Sequence, residues 1–320
     1  MRKLILTVII NILLISIILF AGEILTYKYQ AKIFYDTHPK LYPINKYSYE
    51  IFYPDYMTDL KNYYNGKNNL FYGRKPDGVE YKNKTPITIF GCSFAFGQHL
   101  NFNQTFSYKL AHKLKRPVHN RAISGGSFQH TYMQTTNKTF YEDIPYSDTV
   151  IYVMIGDHYR RTMLDYFDVL DHHVLPHYTI KNNKLVMDNY KNKLLNLYKS
   201  LYITKSINHI FADNYIQNEK NAEKITDSAV LYFTESRKEL QKHWGKDFKF
   251  IIVLYEVWQF PYKELLQKKL ENNGFIVFST LDLTSENLNS EKYMMLDNYH
   301  PTEAAWDLLT PKFIEKAFND

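Results

Sequence analysis

The chain has 320 residues, 45% of them hydrophobic and 17% aromatic, with 39 basic side chains against 33 acidic ones and one cysteine. That length supports a full hydrophobic core in one large or two small domains, while a lone Cys92 excludes an intramolecular disulfide framework and zinc sites built on paired thiolates. The net charge of +6 is spread along segments that also carry Asp and Glu, without the stripe that a nucleic-acid binder concentrates, so no nucleic-acid partner is expected.

Residues 4–22 read LILTVIINILLISIILFAG, uncharged and interrupted only by Thr7, Asn11 and Ser16. The run approaches the ~20 residues that cross a bilayer as a helix and exceeds the ~7 to 15 apolar residues of a secretory leader. It predicts a retained transmembrane anchor. Arg2 and Lys3 precede the run and Glu23 follows it, which orients the N-terminus to the cytoplasm and the rest of the chain outside. Residues 23–85 are rich in Tyr, Asn, Asp and Lys and carry the turn signals Tyr64-Asn65-Gly66 and Lys75-Pro76-Asp77-Gly78. They read as a stem leading into the main domain.

From residue 86 apolar runs alternate with helix-period segments, which predicts an α/β domain. The strand candidates are ITIF (87–90), PVHN (117–120), TVIYVMI (149–155), FKFIIVLY (248–255) and FIVFST (275–280). Their near-continuous apolar character suits parallel strands covered on both faces. Helical candidates lie at 105–115, 127–140, 221–244, 262–271 and 302–317. The expected architecture is a three-layer α/β/α sandwich around a central parallel sheet. An insertion at about 160–218 interrupts the alternation, with a hairpin turn at IKNN (180–183) and a helix over 190–211.

The chemistry gathers at the expected strand ends. The first strand runs into Gly91-Cys92-Ser93-Phe94-Ala95-Phe96-Gly97, and the carboxyl end of a parallel strand is where such sheets place their sites. Flanking glycines permit a tight turn that lifts a hydroxyl clear of the sheet and frees backbone N–H groups for an oxyanion. Near the C-terminus stands Leu296-Asp297-Asn298-Tyr299-His300-Pro301-Thr302. Pro301 suits the first turn of a helix and biases His300 to an extended conformation. Asp297 would orient the imidazole, and the imidazole would take the Ser93 proton, as nucleophilic acyl transfer requires.

With Asn120-Arg121-Ala122-Ile123-Ser124-Gly125-Gly126-Ser127 after the second strand, residues 86–320 resemble the SGNH, or GDSL-type, hydrolases. In that family a serine follows strand one in G-D-S, a glycine follows strand two, an asparagine follows strand three in G-x-N-D, and D-x-x-H precedes the last helix. The resemblance implies Ser93 as nucleophile, His300 as general base and acid, Asp297 as its partner, and Gly125, with Gly126 as the near alternative, as a backbone donor to the oxyanion. No cofactor or metal is implied.

Two positions depart from the pattern. Cys92 replaces the aspartate of G-D-S and is expected to be a small buried residue and not the nucleophile. His158, in Gly156-Asp157-His158-Tyr159, stands where the asparagine normally donates to the oxyanion, a job an imidazole N–H can also do. Asp168, Asp171, His172, His173 and His177 lack the spacing of a metal site and read as a solvated loop, while Arg160 and Arg161 are candidates to touch an anionic substrate group at the rim. The expected activity is ester hydrolysis on an acylated small molecule, cell-surface glycan or lipid, in a single-pass membrane protein whose catalytic domain is extracytoplasmic. O-acyl transfer with the same triad, and a catalytically inactive surface binding protein, are the alternatives.

Overall fold

A computed structural model describes residues 74, 76–163, 178–182, 184–187, 202–257, 260–295 and 299–318, with isolated positions 11, 18, 21, 22 and 25. The expected span at 4–22 lies almost wholly outside these residues, and among the described residues no helix is long and apolar enough to cross a membrane.

The chain forms a five-stranded, all-parallel sheet from β1 (Ile87–Gly91), β2 (Val118–Asn120), β3 (Thr149–Met154), β6 (Lys249–Leu254) and β7 (Ile276–Ser279), in the order β2-β1-β3-β6-β7. A separate antiparallel hairpin pairs β4 (Tyr178–Lys181) with β5 (Lys184–Met187). Each expected strand is present, displaced by no more than the residue or so at which strand ends fray. Every residue of β1 and β3 is buried. Alternate side chains of β3 enter different cores: Ile151 and Val153 join one cluster, and Val150, Tyr152 and Met154 the other. That alternation is the period-two geometry of a strand covered on both faces.

Helices supply the covers. On one face Phe106, Leu110 and Ala111 of α2 (Phe106–Leu114) pack with Trp306, Leu309 and Phe313 of α10 (Glu303–Phe318). On the other lie α3 (Phe128–Thr136), α7 (Ala222–Trp244) and α8 (Lys263–Asn272), which bring Phe128, Phe233, Leu240 and Leu266 against the sheet. Thr105 opens α2, its Oγ1 accepting the Tyr108 N–H at 3.2 Å, which satisfies one of the donors a helix start leaves unpaired.

The described residues differ from the pattern-based expectation in three places. The helix expected over 127–140 is two pieces, α3 and α4 (Lys138–Tyr141), because Asn137 turns extended at the end of α3 and the Thr136 hydroxyl bonds back to the Tyr132 carbonyl at 2.8 Å. The insertion helix, α6 (Tyr202–Gln217), continues past the expected end at 211; positions 190–201 lie outside the described residues. The end of the lead-in joins the sheet: Asp77 and Val118 exchange N–H···O bonds of 2.9 Å on the free edge of β2, and the Arg74 N–H donates to the Asn120 carbonyl at 2.9 Å.

Trp306 stacks on Phe106 at 4.9 Å between ring centroids and meets Tyr255 edge-on at 5.4 Å, with 2% of its surface exposed. Trp306→Ala is expected to cost about 3–5 kcal/mol, the range for removing a fully buried large aromatic. Urea unfolding of the two proteins, with unchanged m-values, checks this.

Candidate active site

The site lies where the sheet changes hands. The longer helix between β1 and β2, α2, is on one face, and the long helix between β3 and β6, α7, is on the other. Adjacent strands whose helices leave on opposite faces open a crevice beyond their carboxyl ends. Ser93 emerges from β1 at that crevice. Asp157 and His158 emerge beside it from β3.

Gly91 makes the exit possible. Its φ is +144°, and a Cβ there would stand 2.7 Å from the Val153 carbonyl oxygen of the neighbouring strand. No side chain fits that approach. The next turn is α1 (Ser93–Phe96), a single helical turn closed when the Gly97 N–H donates to the Ser93 carbonyl at 3.0 Å. Ser93 therefore sits in the first helical position, 3% exposed. Arg74 holds the far end of this turn from the lead-in, donating from one Nη to the Phe96 and Gly97 carbonyls at 2.8 and 3.2 Å. Cys92 is fully buried, and burial pushes its thiol up from the ordinary range. A buried thiol of raised pKa is a poor nucleophile.

The second loop comes from β2. Ile123 N–H donates to the Gly91 carbonyl at 3.1 Å, which draws the loop against the Ser93 turn. Gly125 follows at φ +71°. The Gly126 N–H donates to the Ile123 carbonyl at 2.8 Å, so of the two glycines Gly125 is the one that can offer its N–H outward.

The third loop precedes α10. Its ends are pinned by Met295 N–H to the His300 carbonyl at 2.8 Å and Thr302 N–H to the Tyr293 carbonyl at 2.9 Å. His300 is thereby set at the mouth of α10, with its ring centroid 5.7 Å from that of Phe94, the neighbour of Ser93. Tyr299 lies 4.9 Å from the same ring and His99 lies 5.1 Å away, edge-on. His99 adopts φ +65° and was not singled out by its sequence context. Asp297 lies outside the described residues, as do Asp168, Asp171, His172, His173 and His177.

His158 is fully buried. Its Nδ1 and the Tyr152 hydroxyl are 2.9 Å apart, and Phe128 meets the ring edge-on at 5.5 Å. Burial, seconded by the charge of Arg161, lowers its pKa well below the ordinary histidine value, so the ring is neutral.

Arg160 and Arg161, expected at the rim, belong to a charged cluster that ties these loops together. On α5 (Asp157–Met163), Asp157 pairs with both Arg160 and Arg161, the latter at 2.7 Å from Nε to Oδ2. Arg161 also donates from one Nη to the Gly126 carbonyl at 2.7 Å and from the other to the Tyr299 hydroxyl at 3.2 Å. The Asp157 and Arg161 side chains are 13% and 14% exposed. The i, i+4 spacing of Asp157 and Arg161 was the available signal for this pair. Burial alone would raise the Asp157 carboxyl, but Arg161 and Arg160 outweigh it and hold it at about 2.

No protein-family model and no curated protein matches the sequence. Among solved structures, a member of the lipolytic protein G-D-S-L family from Veillonella parvula is similar at 10% identity and a TM-score of 0.42, over 74% of this chain and 99% of that one. The lipase Lip_vut3 from a goat rumen metagenome is similar at 12% identity and a TM-score of 0.42, over 73% and 98%. A carbohydrate esterase family 2 enzyme from Corynascus thermopiles shows 14% identity and a TM-score of 0.36, over 74% and 67%.

The depressed Asp157 carboxyl fixes a pH signature. Its pKa of about 2 in the fold lies below the ~3.9 of an unfolded chain. Its contribution to stability is thus complete above about pH 4 and is lost as pH falls through 2. A separation of ~2 units corresponds to roughly 2.5 kcal/mol. Asp157→Asn is expected to be less stable than the parent at pH 7, with the difference shrinking as the pH of urea melts is lowered from 5 toward 2. A difference independent of pH contradicts the assignment.

Proposed function

We propose that this chain is a serine ester hydrolase of the SGNH type, held at a membrane by residues 4–22 with its catalytic domain outside the cytoplasm. The observation that carries the reading is the meeting of three loops at the carboxyl ends of β1 and β3: Ser93 on its one-turn helix, Gly125 in a turn drawn onto Gly91, and His300 against Phe94.

In this reading His300 accepts the Ser93 proton as Oγ attacks the ester carbonyl. Negative charge developing on the carbonyl oxygen meets the N–H groups of Ser93 and Gly125, donors fixed before reaction and so needing no reorganisation. Asp297 orients the His300 ring. The tetrahedral intermediate collapses as His300 returns the proton to the departing alcohol, and water then repeats the sequence on the Ser93 acyl-enzyme.

His158 takes the place of the family asparagine. The role requires the neutral ring's proton on Nε2, with Nδ1 accepting from the Tyr152 hydroxyl 2.9 Å away. Burial does the rest, keeping the ring uncharged in the working pH range. Placement outside the membrane makes an O-acylated surface glycan or lipid the natural substrate class.

The test is release of p-nitrophenol from p-nitrophenyl acetate by the full chain in detergent. Ser93→Ala is expected to reduce the rate to background. His158→Asn should retain activity within about tenfold, and His158→Phe should lose about 100-fold or more, the scale of one oxyanion donor. Equal rates for the parent and Ser93→Ala would remove the hydrolase reading for such esters.

A further inference from the structure

We propose that Arg161 is the positioning residue that sets the three loops of this site in register, so that the oxyanion donors and the base come into line on Ser93 together. The inference rests on the hydrolase reading above and adds a role to it.

A guanidinium is planar, with its donors in a fixed fork. Here Nε holds Asp157 on its own helix, α5, while the two Nη reach across to other loops: one holds the Gly126 carbonyl after β2 and the other the Tyr299 hydroxyl before α10. Each contact adjoins a residue of the proposed machinery. The Gly126 N–H is already fixed to Ile123, so capture of its carbonyl fixes the peptide on the other side and leaves the Gly125 turn no freedom to rotate. Tyr299 is the chain neighbour of His300; its hydroxyl reaches Asp157 Oδ2 at 3.5 Å and its ring meets Phe94 at 5.8 Å. Asp157 is the neighbour of His158. A shift of the guanidinium therefore displaces the oxyanion turn and the base loop at once.

Its surroundings favour this role over substrate binding. The side chain is 14% exposed and ion-paired to a carboxylate that is 13% exposed. Charge-assisted, nearly buried bonds are the strong ones, and the three directions of the fork are occupied by protein oxygens. Lysine would keep the charge but not the fork. Its single nitrogen cannot reproduce three divergent bonds.

The experiment compares the parent, Ser93→Ala, Arg161→Lys, Arg161→Ala and Tyr299→Phe as full chains, with kcat and KM for p-nitrophenyl acetate and a thermal melt of each. Arg161→Lys is expected to lose about 100-fold in kcat, the effect of a misplaced oxyanion donor or base, with KM within about threefold. Added guanidinium ion is expected to restore part of the kcat of Arg161→Ala, which a general loss of stability would not permit. Tyr299→Phe leaves the ion pair intact and is expected to melt as the parent does while losing about tenfold in kcat. If either Arg161 variant fails to fold, Tyr299→Phe decides the matter. Parent-like kcat in Tyr299→Phe, or in a folded Arg161→Lys, overturns the proposal while Ser93→Ala remains inactive. Parent-like activity in Ser93→Ala overturns the hydrolase reading itself, and this role falls with it.

Discussion

The chain leaves the sheet at Gly91 through a gap that admits no side chain. With φ at +144° and the Val153 carbonyl 2.7 Å from where a Cβ would lie, the last residue of β1 is pressed against β3. That close approach sets the direction of everything downstream. Cys92 is carried into the core and Ser93 into the first position of a one-turn helix, at the crevice between the two strands. The Gly91 carbonyl also receives the Ile123 N–H, so the same residue seats the Gly125 loop beside the Ser93 turn.

A second constraint works across the crevice. Asp157 and Arg161 leave β3 on one short helix, and their pairing is nearly out of water. A buried ion pair is weak evidence of net stability, since both charges must be desolvated. Its value here lies in direction. The guanidinium has no apolar substitute that could bond Gly126, Asp157 and Tyr299 together.

Much of the fold was legible because parallel strands buried on both faces must be apolar throughout, and ITIF, TVIYVMI and FKFIIVLY show this directly. Ser93 and His300 were legible as motifs at strand and helix ends. The remainder depends on geometry that a linear pattern does not encode. The break at Asn137 arises from the Thr136 hydroxyl bonding back to the helix. Arg161 looked like one of two arginines at a rim. Its role appears only when Gly126, 35 residues before it, and Tyr299, 138 residues after it, converge on one side chain. His99 likewise meets His300 through a separation of 201 positions and a left-handed backbone that its neighbours in sequence do not announce.

The central claim is that the hydroxyl of Ser93 is the nucleophile of an acyl-transfer site, with the thiol beside it sealed in the core. Its most direct test is reaction of the full chain with an alkyl fluorophosphonate, followed by intact mass and peptide mapping. The account predicts one adduct, on Ser93, absent in Ser93→Ala and retained in Cys92→Ala. An adduct on Cys92, or an unmodified Ser93 in an enzyme that still hydrolyses esters, would contradict it.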